Sequence, residues 1–301
     1  MKRSLTLIIA LLTLFSAAGQ KRIEVQTTAD EVVHLWDNTT AKYSNEMEKD
    51  ETVKRKFQIY NTSSADLYIY TAPKEKATGY SVVIYPGGGY RYLSFPMTFP
   101  EWLRDHGITA VVVKYRLPNY GHADATLEDA IGAIDYLRAN AEKYNIDPQK
   151  VGVCGNSAGG HLAAWVSNIM DDDKKPCFSI LIYGAMVRDS GFNSTRANRI
   201  LRGNNVTAEE GKEMSTPNLV SQATPPALIF LSDDDLIVNP KASTYYYKAL
   251  KRYGIPASMH IYPSGGHGWS GRLKWEYRQA WLNAILDWFE SLDDMKNRTK
   301  N

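Results

Sequence analysis

Short apolar, β-branched runs recur along the chain: "SVVIY" (81–85), "TAVVVKY" (109–115), "KVGVC" (150–154), "FSILIYG" (178–184), "ALIFLS" (227–232) and "SMHIYP" (258–263). Each has the length of a strand, and the segments between them carry apolar residues at helical spacing. From Thr126 to Tyr144, Leu127, Ile131, Ile134 and Leu137 form one stripe. The closing segment, Gly271 to Leu292, carries Trp275, Trp281, Leu282, Ile285 and Phe289 in the same way. Strands alternating with helices predict an α/β fold with a mostly parallel sheet covered by helices on both faces. Ligands then belong at the carboxyl ends of the strands.

Four of those ends carry unusual residues: "PGGGY" after the first run, "GNSAGG" after Cys154, "DDDLIV" after Ser232 and "SGGHGW" after Pro263. Gly155, Ser157 and Gly159 make a G-x-S-x-G pattern between a strand and a helix, the context of a nucleophile elbow. With 21 glycines in the chain the bare pattern is weak, and the strand-to-helix context carries the inference. A serine needs a base, and the base needs a carboxylate to hold it.

Among six histidines, His34 falls in the N-terminal segment, His106 at a surface helix end, His122 and His161 near helix starts, and His260 within a strand. His267 lies in a glycine-flanked loop after the last strand and is the expected base. In chain order the carboxylate should come between serine and histidine, which points to Asp233, Asp234 and Asp235 together.

Composition narrows the partner. Lys plus Arg number 35 against 33 for Asp plus Glu, a net charge of +2, which supplies no broad field for nucleic acid or an anionic membrane. The triple glycine lacks both the P-loop lysine and the GxGxxG spacing, which argues against a phosphate cradle. No His, Cys or carboxylate cluster has metal-ligand spacing, and the chemistry requires neither metal nor cofactor.

Lys2 and Arg3 precede the apolar stretch Leu5 to Phe15 and then "SAAGQ", which reads as a signal peptide over residues 1–19, cleaved near Ala18 or Gly19. The stretch is too short for a spanning helix, so a soluble periplasmic or secreted protein without a membrane anchor is expected. Cys154 ends one strand and Cys177 begins another, which in parallel neighbours separates the sulfurs by more than roughly 10 Å and predicts two buried free thiols.

Several segments, taken in order, resemble the α/β-hydrolase esterases, in particular the bacterial acetyl and feruloyl esterases acting on plant xylan. They are "YPGGGYRYLS", "KYRLP", "EDAIGAIDYLRANAEKYNIDPQKVGVCGNSAGGHLAA", "ILRGNN", "TPPALIFLSDDD" and "YPSGGHGW", spread over about 250 residues. The resemblance implies an α/β-hydrolase fold with an eight-stranded sheet. Its domain runs from residue 51 to 295, after an N-terminal extension at 20–50 and with a small helical lid at about 185–222.

By resemblance, the catalytic aspartate sits in a "DxxV" pattern, which only Asp235 with Val238 fits; Asp234 is the reserve. Ala158, Gly88 and Gly89 would supply the N–H groups that meet a developing oxyanion. Many relatives have histidine in place of Pro86, although the xylan esterases share the proline.

The implied activity is hydrolysis of acetyl or feruloyl esters on a polysaccharide through Ser157, His267 and Asp235. A small-molecule carboxylesterase, or a serine exopeptidase of the same fold, is the alternative. Tyr90, Tyr92, Phe95 and Trp269 are candidates to stack on a sugar or an aromatic acyl group near the mouth.

Overall fold

Five of the six apolar runs form strands whose central residues are shielded on both faces, as the six-residue Thr109–Lys114 illustrates, whereas Ala257–Tyr262, at the edge of the sheet, is only partly covered. In the computed structural model, residues 11–15, 21–55, 57–96, 98–188, 192 and 195–298 are described. The main sheet has eight strands: β1 (Glu31–Asp37), β2 (Ser64–Tyr70), β3 (Gly79–Tyr85), β4 (Thr109–Lys114), β5 (Ile146–Asn156), β6 (Ser179–Ile182), β7 (Ala227–Ser232) and β8 (Ala257–Tyr262). Their spatial order is β8-β7-β6-β5-β3-β4-β2-β1. Strands β3 to β8 run parallel, with Val153 opposite Val83 on one side and Ser179 on the other. β2 is antiparallel to both β4 and β1.

Among the described residues, seven helices accompany the sheet: α1 (Phe99–Asp105), α2 (Ala123–Ala139), α3 (Ala158–Ile169), α4 (Thr195–Arg202), α5 (Ala208–Glu213), α6 (Lys241–Arg252) and α7 (Arg278–Arg298). α2 is displaced toward the N-terminus relative to its expected span, ending at the C-cap Asn140. α7 begins only at Arg278, so Trp275 lies ahead of the helix it was expected to join. Between β6 and β7 the long connection holds α4, α5 and a 3-10 turn at Thr216–Asn218, and α5 starts on a capping box between Thr207 and Glu210.

The N-terminal segment is woven into the sheet. Residues 31–37, expected to precede the domain, are its edge strand, with His34 on it. Leu11–Phe15 pairs antiparallel with Lys21–Val25; the rest of the expected leader lies outside the described residues. Fully buried Lys114 of β4 reaches Glu51 at 2.7 Å and Asp66 at 2.7 Å, and Arg22 adds a second cation on Asp66.

Beside it, Arg116 is held by Asp129 of α2 at 2.7 Å and by Glu128 at 2.9 Å. Burial alone would raise the Asp66 carboxyl, but Lys114, His34 and Arg22 hold it below the ordinary carboxylate range. Cys154 and Cys177 are not joined in a disulfide. Cys154 is buried, as expected, and burial pushes its thiol up. Cys177 is only half-buried, which corrects the expectation of two buried thiols.

Candidate active site

The turn from β5 into α3 carries Ser157 at φ 55° and ψ −119°, a backbone conformation that side chains rarely adopt. Its neighbours are glycines for want of space. A Cβ on Gly155 would lie 2.1 Å from the carbonyl oxygen of Gly159, and one on Gly159 would lie 1.9 Å from that of Tyr85. The turn is pinned by the Ser157 N–H donating to Ile182 at 2.9 Å and by the Ser157 carbonyl accepting from Ala185 and His161.

Two other strand ends converge on it. The Ser157 hydroxyl stands 2.8 Å from Nε2 of His267, and Nδ1 of the same ring stands 2.7 Å from Oδ2 of Asp235. The other oxygen of Asp235 accepts the N–H groups of Ile237 at 2.8 Å and Val238 at 2.9 Å. The chain thus folds back on the carboxylate within three residues, a turn made by backbone N–H groups.

Asp233 and Asp234 are exposed. Asp234 accepts the N–H groups of Gly266 at 2.7 Å and Gly265 at 3.2 Å, which holds its carboxyl below the usual range and shapes the loop that presents His267. Arg272 braces that loop from its other side by donating to the carbonyls of Gly265 and His267.

The glycine loop after β3 closes the site. Gly87 donates to the Asn156 side chain at 3.2 Å, Tyr115 donates to Pro86, and Ser94 donates to Gly87. Gly88 has φ 138°, and a Cβ there would come 1.9 Å from the Tyr92 carbonyl oxygen. Gly89 has φ 63° but open space, its nearest neighbour being Arg91 at 3.8 Å. Gly89, Ser157 and Ala158 line one cavity of about 130 Å³, together with Val187, Phe192 and Ala197 of the β6–β7 connection and Val238.

The aromatic candidates need correction. Trp269 is fully buried, its ring stacked on Trp275 at 4.1 Å and edge-on to Trp281, so it belongs to the core and not the mouth. Tyr90 is buried, with its hydroxyl turned inward to Nδ1 of His161 at 2.7 Å. Phe95 is buried edge-on against Tyr68 at 4.7 Å. Tyr92 alone of the four is half-exposed, its ring 5.1 Å from that of Tyr60.

Sequence reasoning passed over His161 as a packing group, yet its Nε2 donates to the Met214 carbonyl at 2.8 Å. Burial keeps this imidazole neutral, so Nδ1 accepts from Tyr90. A buried chain of hydrogen bonds therefore runs from the glycine loop through α3 to the end of α5. Asn156 was missed as well; its place beside the serine was the only signal.

The family model described as "alpha/beta hydrolase fold" matches residues 82–271. The chain is 34% identical over 232 residues to an acetylxylan esterase of Xylanibacter ruminicola, covering 72% of this chain and 47% of that protein. It is 30% identical over 152 residues to endo-1,4-beta-xylanase B of Butyrivibrio fibrisolvens, covering 47% of this chain and 24% of that one. The chain thus spans about half the length, or less, of these curated relatives. Among solved structures, an acetyl ester-xyloside bifunctional hydrolase from Caldicellulosiruptor lactoaceticus superposes with a TM-score of 0.73 at 29% identity, over 89% of this chain and 98% of that one. With the family model matching well over half of the sequence, and with the sheet order described above, the chain belongs to the alpha/beta hydrolase fold family.

Proposed function

We propose that this protein is an exported serine carboxylesterase that removes acetyl groups from a xylan-type polysaccharide. The observation that carries the reading is the unbroken contact from Asp235 through His267 to Ser157, at 2.7 and 2.8 Å. In this reading His267 takes the Ser157 proton as the hydroxyl attacks an ester carbonyl, and returns it to the departing sugar alcohol. Asp235 fixes the imidazole so that Nε2 faces the serine, and water then releases acetate from the acyl enzyme.

Negative charge on the carbonyl oxygen is met by the N–H groups of Ala158, Gly88 and Gly89, which form no hydrogen bond among the described residues. The cavity beside Ser157, about 130 Å³, is small and supports a short acyl group such as acetyl. Similarity to an acetylxylan esterase and to an acetyl ester-xyloside hydrolase supports the glycan class. Export rests on the Lys2, Arg3 and Leu5 to Phe15 pattern. Among the described residues no helix is long and apolar enough to cross a membrane.

Acetylated xylan, 4-nitrophenyl acetate, methyl ferulate and a dipeptide amide, each offered to wild type and Ser157→Ala, test the reading. Acetyl esters should turn over fastest, the amide not at all, and the serine variant should lose about 10⁶-fold in kcat. Ester turnover that survives Ser157→Ala removes the mechanism, and amide cleavage exceeding ester cleavage removes the esterase.

A further inference from the structure

Beside the glycine loop lies a second, wider cleft of about 390 Å³, within the range of roughly 300–1,000 Å³ common to ligand sites. It adjoins the catalytic cavity through two shared elements. Gly89 lines the catalytic cavity while the next residues, Tyr90 and Arg91, line the cleft; Ala197 of α4 lines the former and Ile200, one turn on, the latter. The two spaces therefore border the same loop and the same helix, and a sugar chain whose ester carbonyl reaches Ser157 can extend into the cleft.

The lining has a definite chemistry. Glu46 and Glu48 are balanced by Lys49 and Arg91, so the formal charge cancels and an ionic ligand gains nothing. Asn119 gives both amide hydrogens to the carbonyls of Asn45 and Glu46, at 3.0 and 3.1 Å. Its side-chain oxygen accepts none among the described residues and is left for an incoming hydroxyl. Tyr120 leaves 56% of its surface exposed at the rim.

The backbone is also unusual here. Of ten described non-glycine residues with positive φ, five line this cleft: Glu46, Asn61, Tyr90, Asn119 and Tyr120. Strained residues of this kind persist where the surroundings hold them, and they gather at ligand sites. For tyrosine, φ 59° is a poor conformation that glycine or asparagine would adopt more readily.

We propose that this cleft is the glycan subsite, holding the uncharged pyranose chain that carries the ester. Tyr120 offers its ring to a sugar face, while Asn119 and the two glutamates accept sugar hydroxyls. The assignment rests on the esterase reading above and adds where the leaving alcohol lies. It also gives a role to the segment Glu46 to Lys49, which lies ahead of the span matched by the family model.

Xylotetraose without acetyl groups, titrated calorimetrically into wild type, Tyr120→Gly and Tyr120→Phe, tests the subsite. Tyr120→Gly removes the ring and relieves the left-handed backbone, so its Tm should hold or rise while Kd weakens about tenfold. Tyr120→Phe keeps the ring and should keep most of the affinity. In turnover, the ratio of kcat/KM for acetylated xylotetraose to that for 4-nitrophenyl acetate should fall about tenfold in Tyr120→Gly, through KM. Equal binding by wild type and Tyr120→Gly overturns the subsite, as does a wild type that hydrolyses 4-nitrophenyl acetate but binds no xylotetraose. In both cases the esterase reading stands; it falls separately if Ser157→Ala retains turnover.

Discussion

Charge is buried at two places in this molecule, and the two differ in what they leave over. At the antiparallel edge, Lys114 is enclosed by Glu51 and Asp66, with Arg22 and His34 on the same aspartate. Every charge is answered, and the cluster ties the N-terminal segment to the sheet. At the parallel rim, nearly buried Asp235 satisfies one ring nitrogen of His267 and two backbone N–H groups, and the second ring nitrogen points at Ser157. The edge is closed upon itself, whereas the rim ends in a proton acceptor beside a hydroxyl. Stability and chemistry should therefore respond to different substitutions.

The largest effect is expected at the rim. Asp235→Asn should lower kcat about 10⁴-fold, near 5 kcal/mol, with an unchanged melting curve, whereas Asp234→Asn should cost less than about tenfold. Steady-state rates on 4-nitrophenyl acetate separate the two, and equal losses would move the triad assignment. Next comes the edge: Lys114→Met leaves Asp66 and Glu51 buried without their cation. It should destabilise by about 3–5 kcal/mol in urea titrations while kcat per folded molecule holds. A variant that loses activity without stability would break the division.

Gly89→Ala falls between the two kinds of effect. Its Cβ has room, so the cost should appear in kcat, about 100-fold or more, with roughly 1 kcal/mol of stability lost to the left-handed backbone. Gly88→Ala is a poorer probe, since the Tyr92 carbonyl blocks its Cβ and folding itself should suffer.

The smallest effect is in pH. Asp66 has a depressed folded-state pKa, so its contribution is present above the unfolded value near 4 and is lost as pH falls below it. Stability should decline on that limb by at most about 1.4 kcal/mol per pH unit from this group. Asp66→Asn, followed by urea midpoints from pH 5 to pH 2, should flatten the decline.

The same contrast explains what could be read from the sequence. The rim was legible because its chemistry allows few residue types. An elbow that brings Gly159 against the Tyr85 carbonyl admits only glycine, whereas the caps on Asp235 are backbone N–H groups that fix no side chain, so the choice among the three aspartates rested on the resemblance that gives "DxxV". The edge was not. β2 carries a charged residue, Asp66, at a wholly buried position, and β1 is only half-covered, so neither shows the apolar run that marks a central strand. Their partners lie 48 residues away for Asp66 with Lys114 and 63 for Glu51 with the same lysine, and pattern reading cannot supply such pairings. Trp269 and Tyr90 failed for another reason: an aromatic residue beside a motif can face the mouth or the core, and composition does not say which.

The hydrogen-bonded chain from Tyr90 through His161 to the Met214 carbonyl has a consequence for how such an enzyme can diversify. The connection between β6 and β7 forms one wall of the cavity at Ser157, and so is a natural place to alter substrate range by insertion or exchange. Yet its carbonyl at Met214 is the far anchor of the residue that follows Gly89. A graft that shifts this anchor detunes the glycine loop along with the wall. Specificity and rate are thereby geared together, and exchanges that keep the segment around Met214 intact are the ones in which the two can be varied separately.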